Sequence, residues 1–169
     1  DDPAMTRTAS VQYDAADRPV LVIDAMGNET HLTWSDGDEL LVIARVGQLD
    51  DATDDNVGAV LLAYEEREYD RRSRLIERRV GVFEPGQLTP TQVPSTFATY
   101  STEYNEDSSV RRTIAPVGTY PGLSATESVV DYLYDSAGRL AIKSDSVGNT
   151  RYFEYTTGSN LEAITGVDV

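Results

Sequence analysis

Cysteine is absent from this chain, and histidine occurs once, at position 31. Disulfides are therefore excluded, and so is a zinc site built from cysteine and histidine. Basic residues are few. Lysine and arginine total 14 against 29 aspartates and glutamates, for a net charge of −15. Binding a nucleic-acid backbone or an anionic membrane surface needs clustered positive charge, so neither is expected. The balance suits solubility, a cation-rich milieu or a basic partner. Long apolar runs are also missing. The longest, Val57–Tyr64, falls far short of the roughly 20 residues of a bilayer span, and no membrane insertion is expected. The first residues, Asp1-Asp2-Pro3-Ala4-Met5, have neither the basic nor the apolar region of a secretory signal and read as a cut end or a remnant.

What the chain has in quantity is tyrosine and turn-forming residues: 10 Tyr, 12 Gly and 7 Pro. That is the balance of a turn-rich β protein. Its 169 residues suffice for one domain with a sizeable core. The clearest unit is Tyr132–Asn149. Tyr132 and Tyr134 alternate about Leu133 as a strand requires. Asp135-Ser136-Ala137-Gly138 reverses the chain, with an Asx-type bond and a glycine free to take positive φ. Arg139–Ile142 resumes the strand, and Asp145-Ser146-Val147-Gly148-Asn149 reverses it again.

The unit recurs around six aromatic anchors: Tyr13, Trp34, Tyr69, Tyr104, Tyr134 and Tyr155. The residue after each is Asp14, Ser35, Asp70, Asn105, Asp135 or Thr156, all able to cap a turn through the side chain. Four residues on stand Asp17, Asp38, Ser73, Ser108, Gly138 and Ser159, and six residues on Pro19, Leu40, Leu75, Val110, Leu140 and Leu161. Five of these last six are aliphatic, as for a strand re-entering a core. The first and last pairs of anchors are 21 residues apart. Each pair encloses a second turn, Asp24–Asn28 or Asp145–Asn149. Repetition on this scale signals units that bury their faces by stacking.

Tyr134-Asp135-Ser136-Ala137-Gly138-Arg139-Leu140, followed by Gly148-Asn149-Thr150-Arg151-Tyr152-Phe153-Glu154-Tyr155, resembles the YD repeat, also called the Rhs repeat. The resemblance is strong over 132–164, good over 11–43 and degenerate at Tyr69 and Tyr104. It implies a hollow β shell wound from long arrays. Such shells enclose a C-terminal toxin in bacterial polymorphic toxin systems, and in teneurins they belong to an extracellular adhesion protein. By that resemblance the protein is expected to be secreted or at a cell surface. The family's closure motif Asp-Pro-x-Gly has no counterpart; Asp2-Pro3-Ala4-Met5 lacks the glycine.

Each candidate site also has a plainer role. His31 would have to serve any Ser-His-Asp triad, but its slot between Asn28 and Trp34 reads as an outward strand position. Asp50, Asp51, Asp54 and Asp55, with Asn56, offer oxygen ligands for calcium without the EF-hand spacing. A solvated acidic loop is the simpler reading. Arg67, Arg71, Arg72, Arg74, Arg78 and Arg79 form a cluster suited to an anionic glycan or acidic surface; the plainer role is to neutralise Glu65, Glu66, Glu68 and Glu77 across strands. The anchors could be a sugar-stacking platform, but their phase with the repeat makes them packing knobs.

The expectation is an all-β chain, residues 1–169 forming one domain. It is an antiparallel meander of YD-type repeats in about 10 to 12 strands, curved or rolled as a segment of a shell. Residues 57–69 are read as strand, 84–95 and 115–126 as loops. The expected function is scaffolding that encloses or presents another polypeptide. The partners are then the rest of its own polypeptide and an enclosed toxin domain. No enzyme activity, catalytic residue or cofactor is expected. The alternatives are a surface module for carbohydrate or a cell-surface protein, and a hydrolase using the acidic loops.

Overall fold

The computed structural model describes residues 8–47, 60–83, 93–118 and 126–167. Twelve strands form one sheet in the order of the chain, each antiparallel to the next. They are β1 (Ser10–Tyr13), β2 (Pro19–Ile23), β3 (Glu29–Trp34), β4 (Leu40–Gly47), β5 (Val60–Tyr69) and β6 (Leu75–Val82), then β7 (Thr96–Tyr104), β8 (Val110–Val117), β9 (Thr126–Tyr134), β10 (Leu140–Asp145), β11 (Thr150–Tyr155) and β12 (Leu161–Val167). The sheet is open: β1 and β12 are its edges. No helix of the described residues is long and apolar enough to cross a membrane.

The sizeable core expected from chain length is not found among the described residues. Among the described residues only Val60 and Leu61 are buried hydrophobics. The accessible surface is 11809 Å², against about 8,200 Å² for a compact monomer of this mass. A single layer has no second layer to bury its faces. Leu161, placed in the core by sequence, is 51% exposed because β12 is an edge.

The loop expected at 115–126 is shorter than sequence suggested. β8 continues through Ala115-Pro116-Val117, paired to β9 with Pro116 opposite Glu127. Pairing of β8 with β7 stops at Ile114. Pro116 therefore sits where one side of the strand needs no N–H, a place a strand allows proline.

Paired residues in an antiparallel sheet share a face, which divides the side chains. One face carries all six anchors. It also carries Arg45, Arg67, Arg78, Lys143 and Arg151 against Glu65. The other carries Glu29, Glu66, Glu68, Glu77, Glu103 and Glu154 against Arg79 and Arg112. Gly81 lies between Tyr64 and Phe97 on the acidic face. Their rings meet edge-on, with centroids 6.2 Å apart, across its missing side chain. A Cβ there would collide with the ring of Pro94.

Candidate functional site

Each anchor is the last residue of an odd-numbered strand: Tyr13, Trp34, Tyr69, Tyr104, Tyr134 and Tyr155 end β1, β3, β5, β7, β9 and β11. Each pairs with the residue six positions on, and the seventh is bulged out of the ladder. A bulge sharpens the local twist and ends regular pairing.

The five residues after each anchor form one turn. In all six copies the first N–H meets the fifth carbonyl, and the fourth N–H meets the first carbonyl. The fourth residue is left-handed every time: Asp17, Asp38, Ser73, Ser108, Gly138 and Ser159, with φ between 56° and 76°. Asp14, Asp70 and Asp135 hold the turn from within. Each accepts the third and fifth backbone N–H on one carboxylate oxygen. In the fourth copy, Asp107 accepts from Ser109 instead. The turns at Asp24 and Asp145 share this plan, with Asn28 and Asn149 closing onto the second oxygen at 2.9 and 2.8 Å.

Two devices join one repeat to the next. The first is the anchor's polar tip. Trp34 Nε1 donates to the Pro19 carbonyl at 2.8 Å. The hydroxyls of Tyr69, Tyr104, Tyr134 and Tyr155 donate to the carbonyls of Leu40, Leu75, Val110 and Leu140 at 3.2, 3.0, 2.9 and 2.9 Å. Each acceptor is the sixth-position residue of the preceding repeat. Each lies two residues outside the ladder between repeats, which starts at Leu21, Val42, Glu77, Arg112 and Ile142. A carbonyl left outside the ladder needs a donor, and the anchor supplies it.

The second device is an arginine clamp at the fifth position. Arg18, Arg74 and Arg139 each hold the turn aspartate of their own repeat side-on through Nε and Nη2, at 2.6–2.8 Å. Their Nη1 atoms reach into the next turn. Arg18 bonds the Ser35 carbonyl at 2.7 Å and Asp38 at 2.8 Å. Arg74 bonds the Asn105 carbonyl at 3.0 Å, and Arg139 the Thr156 carbonyl at 3.4 Å. The three guanidinium groups also lie over Trp34, Tyr104 and Tyr155, at 5.9, 4.6 and 4.6 Å from the ring centroid. Glu39 and Ser109 occupy this position in the second and fourth repeats. Clamped and unclamped junctions therefore alternate.

The clamp sets the charge state of the turns. Hydrogen bonds from the arginine side chain, seconded by turn N–H groups, hold Asp14 and Asp135 below the usual carboxylate range and Asp70 down at about 2. Asn28 and Asn149 lower Asp24 and Asp145 in the same way.

The other candidates are dispersed. His31 is half exposed on the acidic face and bonds Glu29 at 2.8 Å. Arg67 and Arg78 face Glu65, and Arg79 faces Glu66 and Glu77. Arg74 belongs to the clamp, and Arg72 bonds the Glu106 carbonyl. Asp50, Asp51, Asp54, Asp55 and Asn56 lie outside the described residues. Among the described residues no three His, Cys, Asp or Glu are placed to share a metal ion. Sequence marked Arg74 only as one of the arginine cluster and did not mark Arg18. The signal was their place five residues after an anchor, shared with Arg139.

No family model and no curated protein matches this chain. Among solved structures it is similar to TcdB2-TccC3 without the hypervariable C-terminal region, with a TM-score of 0.63 and 12% identity. That match covers 94% of this chain and 8% of the other. A second structure of TcdB2-TccC3 matches at a TM-score of 0.38 and 11% identity, over 94% of this chain and 10% of that one. The chain thus spans about a twelfth of the length of the structure it matches better. The likeness establishes the fold, an antiparallel meander in a single open sheet.

Proposed function

We propose that this chain is a stretch of wall in a larger YD-type shell, a scaffold that encloses or presents another polypeptide. The observation that carries the reading is that the described residues form an open, single-layer, twelve-stranded sheet with almost nothing buried. Twisted open sheets rarely exceed about ten strands without curling or splitting. Exposed edges are a hazard that closure removes. A sheet held by row-to-row staples instead of a core suits a wall that continues on both sides. The fold likeness to TcdB2-TccC3 and the Tyr-Asp-x-x-Gly-Arg-Leu motif agree with this. On this reading the protein is secreted or at a cell surface, needs no cofactor and has no active site. The turn aspartates Asp14, Asp70 and Asp135 and the arginines Arg18, Arg74 and Arg139 are engaged with one another in the turns.

The test is limited proteolysis of the full-length polypeptide that carries this chain. A segment outside the wall should be protected while the sheet is folded. It should become cleavable in an Arg74→Ala, Tyr104→Phe variant at temperatures where the parent still protects it. Equal cleavage in both proteins contradicts enclosure. Purified chain should show no turnover of peptides, esters, phosphoesters or glycans. A rate lost in His31→Ala would overturn the scaffold reading.

A further inference from the structure

Every basic residue on a described strand is in an ion pair, except two neighbours. Arg45, Arg67, Arg78, Arg79, Arg111 and Arg112 each meet a carboxylate. Lys143 on β10 and Arg151 on β11 meet none among the described residues. Both are exposed, and they pair directly across the ladder on the anchor face. Like charges in that relation repel. In a chain with 29 acidic residues against 14 basic ones, two adjacent cations without a carboxylate are out of keeping with the rest.

The same repeat positions on β5, β6 and β7 show what such a pair takes. Arg67, Arg78 and Tyr100 form a row there, as Tyr132, Lys143 and Arg151 do on β9, β10 and β11. In each row the members stand two before an anchor, nine after it and four before the next. In each the central cation lies over the tyrosine, Arg78 at 4.6 Å and Lys143 at 5.8 Å from the ring centroid. In the first row Glu65, four before its anchor, meets Arg67 at 2.6 Å and Arg78 at 3.9 Å. The corresponding residue in the second row is Val130. Asp145, two residues from Lys143, is closed on its own turn by Val147 and Asn149. Opposite Arg151 on β12 stands Gly166, which has no side chain to offer.

We infer that Lys143 and Arg151 dock a carboxylate on an acidic segment of the polypeptide that the wall encloses or presents. The inference rests on the wall reading for its partner, and it makes the anchor face the one that meets that partner. A guanidinium offers a carboxylate a fork of N–H donors, and the lysine adds a point charge. Residues directly opposite have Cβ atoms about 5 Å apart, so both can reach one group. In the first row the filler is a side-chain carboxylate on an extended strand. An anionic glycan fits less well, because the tyrosine beside the pair already has a ring face under Lys143.

The test is an NMR titration of the folded chain with a peptide of alternating glutamate and serine. Its glutamine counterpart and oligogalacturonate serve as comparisons. The glutamate peptide should shift the amides of β10 and β11 and bind more weakly as salt rises. The glutamine peptide should shift nothing. Arg151→Gln should raise the dissociation constant about tenfold or more, the worth of a charged hydrogen bond. Lys143→Glu sets a carboxylate opposite Arg151, as Glu65 does for the first row. It should abolish binding and leave the circular dichroism unchanged. If that variant unfolds, Arg151→Glu takes its place. No shift with the glutamate peptide, equal shifts with both peptides, or wild-type affinity in the charge-reversed variant overturns the inference. Oligogalacturonate that binds these two residues more tightly than the glutamate peptide overturns the assignment to a polypeptide. Binding of an added peptide needs no enclosure, so its failure leaves the wall reading to the proteolysis experiment.

Discussion

Five residues that are not glycine hold a left-handed backbone here, each four positions after an anchor. That conformation costs a residue with a Cβ about 1–2 kcal/mol, and glycine in its place gives back part of this in unfolded-state entropy. Ser73 has φ 56° and makes none of the clamp contacts that Asp38, Ser108 and Ser159 make. Ser73→Gly should therefore raise stability by about 0.5–1 kcal/mol in urea denaturation. Gly138→Ala should lower it by about 1 kcal/mol. A Cβ there meets nothing within 4 Å, so the whole effect is backbone. Sequence made the turns legible but not their phase. Gly37 and Gly158 invite positive φ, yet the next residues, Asp38 and Ser159, adopt it.

The turn aspartates also make stability depend on pH. Their folded pKa values lie below the unfolded ones, Asp70 at about 2 against 3.8. Such groups bind fewer protons when folded, so their contribution is complete above the unfolded value and is lost as pH falls through the folded one. The thermal midpoint should decline between about pH 5 and pH 2. Asp70→Asn should start lower at neutral pH and decline less. A midpoint rising on acidification would contradict this.

At the scale of the hairpin, anchor and clamp divide the labour. The anchor caps a stray carbonyl at each of the five junctions between repeats; the clamp ties turns together at the first, third and fifth. The anchors and their sixth-position partners were readable, because aromatic and aliphatic residues recur in phase. The clamp was not, because Arg18, Arg74 and Arg139 alternate with Glu39, Ser109 and Asn160. The bridge over Gly81 was also invisible, since Tyr64 and Phe97 meet only once β5, β6 and β7 are in register. The clamp can be built where it is missing. Asn105→Asp with Ser109→Arg would supply the ion pair and set a guanidinium over Tyr134. The double variant should gain about 1 kcal/mol, mostly from the cation–π contact and the bond to the next turn. Ser109→Arg alone should gain less.

Across the whole molecule, stability is a sum over neighbours. Sequence anticipated the strand number and the meander but also a core, because length alone does not distinguish one layer from two. With no second layer among the described residues, a local loss has no common core through which to spread, as in repeat arrays. Native-state hydrogen exchange on wild type and Tyr104→Phe tests this most directly. The variant removes one hydroxyl, the one that serves the Leu75 carbonyl at 3.0 Å. The account predicts faster exchange in β6, β7 and β8, fading in β5 and β9, with β1–β3 and β11–β12 unchanged. Protection lowered by the same amount in all twelve strands would contradict it.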